Sequence, residues 1–236
     1  VFEACATGRR YPQRDGVTDA LIRKAVGAWA RAAIIRWHRT ADPGAMLVGE
    51  TPLVGNRFVE LARREHDAAE GLLAGEDCRF VLPVPSPQVR AHLEAERERR
   101  AAAPLHERER EDAPPSVLRQ LWRELASLAD TVNAWTAGAG ADAAEDRSGN
   151  PAGADRAYDP ALYEAVYARV LRHRHVDVVR IARVFSTRDL SPYVFPTPPL
   201  EVLPAPAEAD TFISAAEARF SDRAMLEADV ARWWET

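Results

Sequence analysis

Guanidinium groups dominate the chemically active side chains of this sequence. It carries 31 basic residues, of which Lys24 is the single lysine and the rest are arginines. Arginine matches carboxylates and phosphates bidentately, whereas one lysine leaves little for Schiff-base chemistry or a phosphate-loop cation. Arg97, Arg100 and Arg108 lie in a Glu/Arg-rich stretch over 97–110, broken at Pro104 and closed by Pro114-Pro115. From a hinged hairpin they would close over the three equatorial oxygens of a phosphoryl group in transfer. The same Glu/Arg spacing also suits a solvated helix, at about 0.2–0.5 kcal/mol per pair. Glu50 ends the apolar run Met46-Leu47-Val48-Gly49, with Asn56 and Arg57 close behind. A carboxylate at a strand end holds magnesium through water or takes the proton of an attacking hydroxyl. Asn56 and Arg57 would then meet a substrate phosphate, the alternative being an ordinary strand end and an exposed helix residue. Glu3 and Arg10, with Arg9, offer a second substrate-binding edge or a frayed terminus. His173-x-His175 and Asp177 lack a third ligand at convincing spacing, so no metal centre is expected there.

These residues need elements to hold them. Apolar Ile22, Val26, Trp29, Ala33 and Trp37 recur at helical spacing after Thr18, and Asp42-Pro43-Gly44 stops the run. Arg23, Lys24, Arg31 and Arg39 fall mostly off that stripe. Met46–Glu50 reads as a buried strand, and Arg79–Val84 as a second, ending in Pro83-x-Pro85-x-Pro87. Pro87 fits the first turn of a charged helix over 88–101. A further helix begins at Ser116 and another at Asp159-Pro160. β-Branched Val176–Phe185 reads as a third strand, followed by Ser186, Thr187 and Arg188. Residues 137–157 are low-complexity and read as a solvated insertion; 196–206 are a proline-rich connector. The tail from about Thr211 is helical in two pieces.

Alternation of buried strands and helices predicts an α/β fold, three-layered, with a mostly parallel sheet and helices on both faces. The expected organisation is a domain over 1–195, with a lid-like hairpin at 88–115, and a C-terminal part over 196–236. In such sheets ligands bind beyond the carboxyl ends of the strands. That rule puts Glu50, the 83–86 segment and Ser186–Arg188 on one rim.

Composition excludes several classes. A net charge of −5 argues against a general nucleic-acid binder. Two cysteines make no disulfide framework, no apolar run is long enough to span a membrane, and the first 20 residues carry no signal-peptide core. A cytoplasmic location is the expectation. G-x-S-x-G and C-x-x-C are both missing from the sequence.

The order of parts resembles the P-loop nucleoside and nucleotide kinases over about residues 1–190: an acid-ended strand near arginine, a strand leading into an Arg-rich broken helical pair, and a last strand with a Ser/Thr loop. The resemblance implies an ATP- and Mg2+-dependent phosphotransferase acting on a small acceptor. It casts Glu50 as base or metal organiser, Arg57 as a substrate contact, and Arg97, Arg99, Arg100 and Arg108 as lid arginines. Ser186, Thr187 and Arg188 would lie near the adenine. The family's G-x-x-x-x-G-K-[ST] loop is not in the sequence, which opens on Val1. Either the first strand and phosphate loop lie upstream, or the chain is a degenerate homologue without kinase activity. The competing expectation is a non-catalytic interaction module, possible as a homodimer, that docks through the charged hairpin and the Trp-bearing C-terminal helices.

Overall fold

Caps and prolines begin most of the helices. The computed structural model describes residues 1–13, 18–51, 53, 58–112, 114–136, 156–185, 190–191, 193–194 and 203–235. Helix α1 spans Ala20–Thr40, and its cap is Asp19, whose carboxylate accepts from Leu21 N at 2.8 Å. α2 is one turn, Glu70–Leu73. Ser86 caps α3, Pro87–Ala102, by accepting from Val89 N at 3.3 Å, and Pro87 occupies the first turn as expected. A 3-10 turn at Glu107–Glu111 links it to α4, Pro115–Thr136. α5 covers Pro160–Val170, α6 Pro206–Arg219 and α7 Arg223–Ala231.

Strand β1, Phe80–Pro85, pairs in parallel with β2, Val176–Ile181, with Phe80 opposite Val176 and Pro85 opposite Ile181. Among the described residues the molecule is thus a mixed α and β protein with a two-stranded parallel sheet, compatible with an α/β fold. The second and third expected strands are these two, the latter ending earlier than Phe185. The first is corrected: Met46–Glu50 forms no strand, and Met46 and Val48 are over four-fifths exposed. An apolar run flanked by Gly44 and Gly49 has the composition of a strand but finds no ladder. Val1–Ala4 is a turn, with Ala4 N and Cys5 N both donating to Val1 O at 3.0 Å.

The chain divides into two compact units. One comprises Val1–Arg79, Val170–His175 and Pro198–Thr236, the other Phe80–Arg169 and Val176–Thr197. This division differs from the one read at 195/196, because the C-terminal helices belong with the N-terminal one. In the first unit Leu21, Ile22 and Ala25 of α1 bury against Ala209, Ile213 and Ala216 of α6 and Leu226 of α7, beneath Phe2 and Cys5. Small residues allow the close approach: a Cβ on Gly8 would meet Phe2 O at 1.7 Å. Arg223 of α7 forks onto Asp19, at 3.1 and 3.0 Å, tying the last helix to the cap of the first.

In the second unit α3 packs on α4. Arg90 Nη2 donates to Leu118 O at 2.7 Å, and Glu94 accepts from Arg90 at 2.9 Å and Arg119 at 3.0 Å. Trp122 of α4 donates through Nε1 to Arg156 O at 2.7 Å and meets Tyr158 edge-on, with centroids 5.0 Å apart. The insertion expected at 137–157 lies outside the described residues except for 156 and 157. Among the described residues no helix is long and apolar enough to cross a membrane.

Candidate functional site

The proline series at 83 and 85 gives the sheet its most distinctive property. Ser86 N donates to Ile181 O at 2.8 Å, so the amides of Ser86 and, by alternation, Val84, Leu82 and Phe80 face β2. Val81, Pro83 and Pro85 then face the outer edge of β1. Two of those three positions have no N–H, and that edge cannot support a further ladder. β2 carries no proline. Asp177, Val179 and Ile181 face β1, leaving the backbone groups of Val176, Val178 and Arg180 along its outer edge. No other described strand pairs there.

The two faces of the sheet also differ. Leu82 and Val84 are 4% and 3% exposed, on the same face as Val178 and Arg180. On the opposite face Val81 is 61% and Val179 47% exposed, with Pro83 and Asp177 exposed beside them. Parallel sheets are ordinarily covered on both faces. Arg180, on the covered face, sends Nη2 to both carboxylate oxygens of Glu164 in α5 at 2.6 and 2.8 Å. Arg183 follows, exposed.

Residues chosen for phosphotransfer have other surroundings. Arg100 is buried. It donates to Glu109 Oε1 at 2.7 Å and to Leu190 O at 3.2 Å, while Leu105 N caps Glu109 Oε2 at 2.6 Å. Burial pushes the Glu109 carboxyl up, but hydrogen bonds from Ser191 and Leu105 and the charge of Arg100 hold it below the usual range. Tyr193 donates to Asp112 and stacks on His106, completing this clasp. To meet a polyphosphate, Arg100 would have to abandon a buried carboxylate. Arg97 is half-buried and Arg108 exposed, its amide donating to His106 Nδ1 at 3.2 Å. Glu50 is exposed. Asn56, Arg57, Ser186, Thr187 and Arg188 lie outside the described residues. Among the described residues no cluster of three or more His, Cys, Asp or Glu could hold a metal ion. Among the described residues no donor set for ATP and Mg2+ is seen.

Glu3 and Arg10 both sit in the first unit. Glu3 accepts from Gln13 Nε2 at 2.8 Å and borders an open cavity of about 360 Å³ with Thr18, Ile22 and Phe58. Phe58 is the one described non-glycine residue with positive φ, 55°. Arg10 pairs with Glu217 at 2.8 Å and stays mostly exposed.

Sequence reasoning missed a buried charge network in the first unit. Lys24 and Arg31, expected mostly off the apolar stripe, are 6% and 3% exposed. Lys24 Nζ pairs with Glu60 at 2.9 Å and with Asp229. Arg31 forks onto Asp67, at 2.7 and 2.6 Å, and reaches Glu70 at 3.0 Å. Arg174, whose side chain is fully buried, donates to Glu70 Oε1 at 2.8 Å, Leu61 O at 2.7 Å, His173 O at 2.9 Å and Arg63 O. The missed signal was a cation at i and i+7 of one helix, Lys24 and Arg31, facing the acid-rich segment 60–70. No protein-family model, curated protein or solved structure matches the chain.

Proposed function

We propose that the chain is a non-catalytic protein-interaction module that takes up an extended segment of a partner along the outer edge of β2. One observation carries the reading: prolines close the outer edge of β1, while β2 keeps three residues' backbone groups turned outward beside an uncovered apolar face. Strand addition supplies main-chain hydrogen bonds of about 0.5–1.5 kcal/mol each, and sets alternate partner side chains beside the exposed Val179. The contact lies on the sheet rather than on the C-terminal helices, because α6 and α7 are already core elements of the first unit.

The test uses two fluorescent octapeptides, (Val-Glu)4 and (Val-Lys)4, titrated by anisotropy. At least one is expected to bind the wild-type chain. Val178→Pro removes an outward N–H without touching the ladder to β1, and should weaken binding at least about tenfold, or 1.4 kcal/mol. The same loss with a peptide N-methylated at alternate residues makes the result independent of any strain the proline introduces. No binding of either peptide would reject the reading.

A further inference from the structure

The open edge is chemically asymmetric, and its asymmetry selects a kind of strand. Arg180 and Arg183 stand at its carboxyl end, although the whole chain is net negative at −5. The Arg180 side chain is 70% exposed even with Glu164 bound, so its guanidinium has room for a second carboxylate. Arg180 points to the covered face. Val179 and Val81, on the uncovered face, are bare and apolar. A strand beside β2 would place alternate side chains on these two faces.

We infer that the partner segment is an acidic amphipathic strand, its carboxylates on the Arg180 side and its apolar residues beside Val179. The inference rests on strand addition at β2. The facing acids fit the same arrangement. Asp177 lies on the apolar side, two positions before Val179, so carboxylates of the incoming strand avoid it. Glu164 shares Arg180 but is only 27% exposed. A basic strand would instead set its ammonium groups against Arg180.

The two octapeptides separate the inference from the reading beneath it. At 50 mM salt (Val-Glu)4 is expected to bind at least tenfold more tightly than (Val-Lys)4, and the gap should shrink at 500 mM. Reversing both arginines, Arg180→Glu with Arg183→Glu, should invert the preference and leave the far-UV circular dichroism unchanged. Equal affinity for the two peptides overturns the acidic partner while leaving strand addition standing. If neither peptide binds, strand addition itself fails. Sedimentation adds a third outcome. A concentration-dependent dimer that Val178→Pro abolishes, and that excludes both peptides, would give the edge to a second copy and overturn the inference.

Discussion

Arg174 and Arg180 are six residues apart in the sequence and have opposite fates. Arg174 closes the first unit from inside: its side chain is fully buried and donates to Glu70 and to the carbonyls of Leu61, Arg63 and His173. Arg180 stands in the second unit at a sheet edge, 70% exposed and paired with one surface carboxylate. The contrast extends to their units. The first buries its charges in a connected network of Lys24, Arg31 and Arg174 with Glu60, Asp67, Glu70 and Asp229. In the second, Val81 and Val179 stand in water and the outward backbone groups of β2 are left unpaired by any described strand. A side chain's chemistry does not decide its role; the number of acceptors that the fold brings around it does.

Breaking the inner arginine is the strongest way to test this contrast. Arg174→Ala takes the buried donor from the carbonyls of Leu61 and His173 and leaves Glu70 with Arg31 and the Glu65 amide alone. Removing one partner of a buried ion pair costs about 3–5 kcal/mol, because the other charge is left uncompensated. Urea unfolding monitored in the first unit should show a loss of that size. A loss under about 1 kcal/mol would mean the network is open to water and the comparison false.

How far these roles could be read from the sequence follows from the same physics. Ser86-Pro87, the helix starts near 115 and 160, and the parallel pairing of two Val-rich strands were legible, because caps, prolines and β-branching act locally. The proline alternation at 83 and 85 was visible too, but its meaning depends on which way the alternate amides point, and pairing with β2 settles that. Lys24 and Arg31 looked like solvent-facing residues because their partners come from 60–70 and from Asp229, far along the chain. Glu50 looked like a strand end because Met46-Leu47-Val48 has the composition of one; exposure of Met46 and Val48 shows that no neighbour completes it.

Acid should loosen the first unit through the same network. Burial pushes the Glu70 carboxyl up, but hydrogen bonds from Arg174, Arg31 and the Glu65 amide outweigh it and bring it from 4.5 down to about 2. Asp67, through Arg31, is shifted the same way, and so is Asp229, where Lys24 and Arg63 overcome its burial. A carboxyl lowered in the folded state contributes stability that is complete above its unfolded value and is lost as pH falls. For Glu70 the window runs from about 4.5 down to about 2. Stability measured against pH should fall across it in the wild type. Glu70→Gln, less stable at neutral pH, should show a shallower slope there. An unchanged slope would place the acid sensitivity elsewhere.

The smallest effect is expected at the outer arginine, and its smallness is informative. Arg180→Ala removes an exposed pair with Glu164, and such pairs are worth about 0–1 kcal/mol because water solvates both partners when they part. Denaturant midpoints should move by no more than that, at least severalfold less than for Arg174→Ala. Affinity for (Val-Glu)4 should nevertheless fall. An arginine that adds little to its own fold, yet stands beside the outer backbone of β2, is exposed enough to serve an incoming carboxylate alongside Glu164. If Arg180→Ala instead destabilised the second unit by several kcal/mol, Arg180 would be a structural residue like Arg174, and the edge would lose the charge that distinguishes it.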